Sequence, residues 1–155
     1  MEGCDLFTNA LCTLSDLCYE LDFDQEESRM LFGKILNTGD FTVGDYRFID
    51  CVVVDEVMKD EFRNEPYMIG SCNSWVTADL LGVSTDVIDL LQKNEQYEAI
   101  GMLVLETNKL DKFIDTLISN DGYGHHFGIY DGEEHYVDIS LAKDKPNAFY
   151  WFKIN

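Results

Sequence analysis

The stretch His126-Phe-Gly-Ile-Tyr130, Asp131-Gly-Glu-Glu134, His135-Tyr-Val-Asp-Ile139, followed by Ala148-Phe-Tyr-Trp-Phe-Lys-Ile154, breaks the helical rhythm of the chain. Its side chains alternate with a period of two, and Asp131-Gly132 is a tight-turn signal. The spacing predicts strands over 126–130, 135–139 and 148–154. An earlier partner is Phe41-Thr-Val43, Gly44-Asp45, Tyr46-Arg-Phe-Ile49, which reads as a tight hairpin. The aromatic run Phe149–Phe152 is expected to face the core on one side. Its other side is expected to meet a helix or a protein partner.

Around these strands the apolar residues recur at three and four positions. Leu6, Ala10, Leu11, Leu14, Leu17, Cys18 and Leu21 predict a helix over 3–20. Asp24-Gln-Glu-Glu27 opens a second over 24–36, closed by Asn37-Thr-Gly39. Asp50 reads as the cap of a helix through Val53, Val54, Val57, Met58 and Phe62, although the valine run would also suit a strand. Further helices are expected over 70–82, 85–94, 95–106 and 108–119, with breaks near Gly82, Asn94 and Asn108 and a cap at Ser84. The expected architecture is α+β, helices packed on a small antiparallel sheet of four or five strands. A chain of 155 residues suits a single domain, with 1–40 its helical N-terminal part and 41–155 its α+β part.

With 46% hydrophobic and 13% aromatic residues the chain should fold rather than stay disordered. No apolar run approaches the roughly 18 residues of a membrane span. The first residues lack the basic region of a secretory signal. A soluble, intracellular protein is therefore expected. Five cysteines, at 4, 12, 18, 51 and 72, include no Cys-x-x-Cys pair. They read as reduced thiols that pack as small hydrophobes and are dispensable for activity. With His125, His126 and His135 they form no zinc pattern.

Charge is the outlier. Thirty acids against eleven bases give −19. Nucleic-acid binders need Lys and Arg to replace phosphate counterions, so direct binding to DNA or RNA is excluded, as is an anionic membrane. The acids are interleaved with apolar residues and must coat a folded surface. Asp16, Glu20, Asp24 and Glu27 are spaced four, four and three apart, and one continuous helix would align them in a stripe. Glu56 with Asp60, and Glu61 with Glu65, repeat the spacing of four. Like charges so placed cost a few tenths of a kcal/mol each. Reversing them should leave the fold intact or slightly more stable. One function that would offset the cost is imitation of a phosphate backbone, which presents a charge every 1.7 Å or so of duplex. The bland alternative is a solvated, solubilising face.

His125, His126, His135, Asp121, Asp131, Glu133 and Glu134 lie within fifteen residues and contain the groups of an acid–base or hard-metal site. In strand periodicity, however, His126 faces with Gly128 and Tyr130, opposite His125, and Glu133 and Glu134 fall at a turn tip. Asp121-Gly122 reads as a helix end, with His125 bonding a backbone carbonyl at that corner. No catalytic residue, metal ligand or cofactor is assigned.

The segment Asp121-Gly-Tyr-Gly-His125, the turn Tyr130-Asp-Gly-Glu-Glu134 and a final aromatic strand with Lys153 and Asn155 resemble a group of small acidic proteins of phages and other mobile elements. Val43–Ile49 resembles their first hairpin, and the likeness spans 41–155. The chain departs from it by inserting His126 and by having Lys153 where Arg is expected. The resemblance implies a setting, mobile elements contending with host defence in the host cell cytoplasm. Joined to the charge, it leads to the expectation of a non-enzymatic inhibitor. Its partner would be a basic nucleic-acid-binding host protein, a CRISPR effector or restriction enzyme, bound through Asp16, Glu20, Asp24, Glu27, Glu56, Asp60, Glu61 and Glu65. An acidic adaptor without mimicry is the alternative, and a small metal-assisted hydrolase a third.

Overall fold

A computed structural model describes residues 2–128, 132–140 and 148–155, the side chains of 2–6 excepted. The chain is α+β, with α1 (Glu2–Glu20), α2 (Gln25–Ile35), β1 (Asp40–Val43), β2 (Tyr46–Asp50), α3 (Val54–Asn64), α4 (Tyr67–Gly70), α5 (Ser74–Leu81), α6 (Thr85–Lys93), α7 (Tyr97–Glu106), α8 (Leu110–Asp121), α9 (Gly124–Phe127), β3 (His135–Asp138) and β4 (Ala148–Lys153). It divides into two compact units. One comprises residues 1–54 and 123–155 and holds the sheet. The other, 55–122, is helical and interrupts the first in sequence. Helices α1 and α2 fall in the unit that holds the sheet, and the units divide at 54/55 and 122/123.

Among the described residues of the sheet unit four antiparallel strands run in the order β1-β2-β4-β3. The register pairs Phe41 with Phe48, Phe48 with Trp151 and Val137 with Phe149, so these side chains share one face. Ala10, Leu14, Leu17, Cys18 and Leu21 of the first helix and its exit, with Leu31 and Ile35 of α2, bury that face. Phe41 stacks on Phe48 at 5.2 Å, and Tyr46 meets Trp151 edge-on at 5.6 Å. The opposite face carries Arg47, Tyr150 and Phe152. It is covered at the Tyr123–Phe127 corner, where Tyr123 lies 5.0 Å from Tyr150 and Phe127 lies 5.1 Å from Phe152. The aromatic strand is therefore buried through both faces.

The helical unit packs Ala78, Ile88 and Ile100 together, and Phe62 meets Phe113 edge-on at 5.3 Å. Two tight crossings fix α4 against α7. A Cβ on Gly70 would collide with the Tyr97 carbonyl, and one on Gly101 with the Pro66 carbonyl. Gln92 donates from Nε2 to the carbonyls of Gly70 and Cys72, both at 2.8 Å, and pins the turn after α4. Lys109 Nζ donates to the Leu80 carbonyl at 2.7 Å and satisfies the end of α5.

Several expectations change. Asp50 is not a helix cap: it ends β2, its side chain accepts the Val52 N–H, and the helix begins at Val54. The helix expected over 70–82 starts only at Ser74, as α5, and Ser71–Asn73 separate it from α4, which ends at Gly70. The strand expected over 126–130 is replaced in its first part by the helical turn α9, whose Phe127 and Gly128 amides donate to Tyr123 and Gly124. Tertiary packing wins there, because the turn delivers Phe127 onto Phe152, under the Arg47 guanidinium at 5.0 Å. Residues 129–131, with Tyr130 and Asp131, lie outside the described residues, as does the side chain of Cys4.

Candidate functional site

Asp16 and Glu20 stand one helical turn apart on the exposed side of α1. No base occurs anywhere in α1, and neither carboxylate is ion-paired among the described residues. The stripe expected to continue through Asp24 and Glu27 does not exist as one helix. The chain leaves α1 at Leu21, and Asp22 adopts a positive φ of 54°. Asp24 is the N-cap of α2. Its Oδ1 accepts the Glu26 and Glu27 amides at 2.8 Å, and Glu27 Oε2 accepts the Asp24 amide at 3.0 Å. These two carboxylates close a capping box and stabilise the helix start, so reversing their charge would weaken the fold rather than leave it intact.

The second set lies in the other unit, and two of its four carboxylates, Glu56 and Asp60, are ion-paired within α3. Lys59 bridges Glu56 and Asp111, each at 2.9 Å, and Arg63 reaches Asp60 at 2.8 Å. These carboxylates hold the Lys59 pKa well above its ordinary value, chiefly through the hydrogen bond to Glu56. Glu61 is half-buried, and Glu65 is exposed at the end of the helix. The expectation of bare paired carboxylates overlooked Lys59 and Arg63, which sit one turn from their acids. Reversal of Glu56 or Asp60 would likewise break existing ion pairs.

The structure gathers a different acidic set. A groove of 480 Å³ opens between α1 and β3, with Asp16 and Glu20 on one wall and Glu134 and His135 on the other. His135 lies flat on the buried Trp151, ring centroids 3.9 Å apart, with Glu133 Oε2 at 3.9 Å from its Nε2. Glu134 also accepts the Tyr123 amide at 2.6 Å. That bond, and the close approach of Gly124 to the Gly132 backbone, hold the corner assigned from sequence to His125. His125 is exposed. In sequence Glu134 reads as a turn residue and as one of the carboxylates near the histidines, not as a neighbour of Asp16 and Glu20. Its neighbourhood to α1 depends on sheet order, which no local pattern encodes.

The three histidines do not converge. His126 packs edge-on against Phe127 at 4.6 Å, beside Asp40 and Arg47 on the opposite sheet face from His135. Among the described residues no three His, Cys, Asp or Glu side chains come together to hold a metal ion. Cys12, Cys18, Cys51 and Cys72 are free thiols. Burial, with the Asp50 carboxylate nearby, pushes the Cys51 thiol up to about 11. Burial, with Asp121, does the same to Cys72. Neither thiol has the electropositive setting of a nucleophile. Among the described residues no helix is long and apolar enough to cross a membrane.

Comparison with protein-family models, with curated proteins and with solved structures finds no match to the chain.

Proposed function

We propose that this protein is an inhibitor from a phage or mobile element that binds a basic nucleic-acid-binding protein of the host, a CRISPR effector or a restriction enzyme, in the host cytoplasm. Its acidic surface takes the place of the phosphate backbone, and no chemistry is performed. One observation carries the reading. At least five of the eleven bases are engaged internally, while Asp16 and Glu20 are not ion-paired among the described residues. Arg47 is held bidentately by Asp40, Lys59 and Arg63 by the acids of their own unit, and Lys34 and Lys109 by the carbonyls of Thr42 and Leu80. Both units are acidic, with sixteen acids and six bases in the sheet unit and fourteen and five in the helical unit. Surface charge of one sign attracts a basic groove and releases its counterions, as DNA does.

Cleavage of a plasmid by candidate effectors, with the protein added before or after the DNA, tests this. Inhibition is expected when the protein is added first, and protection when DNA is already bound. Equal inhibition in either order would contradict competition for the nucleic-acid groove.

A second reading, an acidic adaptor without mimicry, draws on α6. Val87 and Leu90 are exposed one turn apart on it, and Val83 is exposed just before its cap Ser84, an apolar patch suited to a protein partner.

A further inference from the structure

We propose that the outer edge of β3, together with the groove it shares with α1, receives an extended basic segment of the partner as an added strand. The inference rests on the acidic-surface reading and names the mode of contact. β3 ends the strand order β1-β2-β4-β3. In an antiparallel edge strand alternate residues turn both N–H and C=O away from the sheet. Among the described residues, His135–Asp138 make no backbone hydrogen bond beyond those to β4. The other edge differs, because Lys34 Nζ donates to the Thr42 carbonyl of β1 at 3.2 Å.

The two sides of the β3 edge differ in chemistry, and the difference specifies the occupant. On the α1 side lies the groove with Asp16, Glu20 and Glu134 above Trp151. On the other side Tyr136 is 58% exposed and packs edge-on against Tyr150 at 5.8 Å. An added strand sends alternate side chains to opposite faces. Side chains on one face recur every 6.6 Å or so along a strand, close to the roughly 6 Å rise between helix positions four apart. Lys or Arg at alternate positions would meet Asp16 and Glu20, and the intervening apolar side chains would lie against Tyr136. A second copy of this chain is a poor occupant, since its own Glu133, Glu134 and Asp138 would face the same acids.

The test uses the full chain and a short peptide alternating Arg and Val, with an analogue N-methylated at alternate amides as control. The analogue keeps the charge and loses the donors of one edge. Binding is measured by calorimetry at moderate salt, and the site by amide exchange. The expected result is slowed exchange at His135–Asp138, with binding weakened about tenfold or more by N-methylation. The double variant Asp16→Lys, Glu20→Lys should weaken binding to a similar degree while circular dichroism stays unchanged. Equal binding of both peptides, or protection elsewhere only, would overturn strand addition and leave the acidic-surface reading standing. Failure of both peptides to bind would overturn the two together. Protection of the same amides by dimerisation without peptide would assign the edge to a second copy and overturn the proposal.

Discussion

Four carboxylates that look equivalent by spacing divide sharply by role. Asp24 and Glu27 each accept backbone amides at the start of α2, whereas Asp16 and Glu20 face solvent across a groove. Asp24→Ala should therefore cost about 1 kcal/mol of stability in urea unfolding, and Asp16→Lys should change it by less than about 0.5 kcal/mol. Equal losses would mean that α1 also relies on its acids. The thiols offer a test of burial. The fold raises Cys51 and Cys72 from 9.0 to about 11. A group that holds its proton more tightly when folded contributes stability below the unfolded pKa and loses it as pH rises through the folded one. Stability should accordingly fall between pH 9 and about 11, and a Cys51→Ala, Cys72→Ala double variant should show a shallower fall. In the native protein at pH 8 the exposed Cys12 should be alkylated well before Cys51 and Cys72. Equal rates at all three would contradict the packing around the sheet and the α4–α5 turn.

At the scale of elements, the crossing of α4 and α7 depends on absent side chains. Gly101→Ala would drive a methyl into the Pro66 carbonyl, and backbone cannot yield as a flexible side chain can. A loss of roughly 1–3 kcal/mol is expected, read as a lowered thermal midpoint, while Gly33→Ala, where a Cβ meets nothing within 4 Å, should be neutral or stabilising. Elements with local signals were legible in the sequence. The Asp24 and Ser84 caps, the β1–β2 hairpin and the breaks at Gly82, Asn94 and Asn108 all stand where their chemistry puts them. Gly122, with φ of 65°, follows α8 as a helix terminator should. Elements decided by distant contacts were not legible. Phe127 alternates as a strand residue would, yet its ring is claimed by Phe152 and Arg47. Asp50 has the side chain of a cap, but the β2–β4 pairing extends through it to Phe149. Pro66 and Gly70 frame α4 only because α7 approaches so closely.

At the scale of the molecule, composition announced an acidic surface, but composition does not say which acids are bare. Spacing along helices pointed to eight carboxylates. Capping and ion pairing engage Asp24, Glu27, Glu56 and Asp60, and sheet order adds Glu134, from the far end of the chain, beside Asp16 and Glu20. On the proposed function, unneutralised charge substitutes for nucleic acid on a basic partner. The measurement that bears on it most directly is the dependence of the protein–effector binding constant on salt, for the parent and for the Asp16→Lys, Glu20→Lys variant. Log K should fall steeply and linearly with log salt, with a slope approaching that of DNA for the same effector, about −0.9 per phosphate neutralised. The variant should bind more weakly and show a shallower slope. A binding constant that is flat in salt, or a variant that inhibits the effector as well as the parent does, would contradict the account.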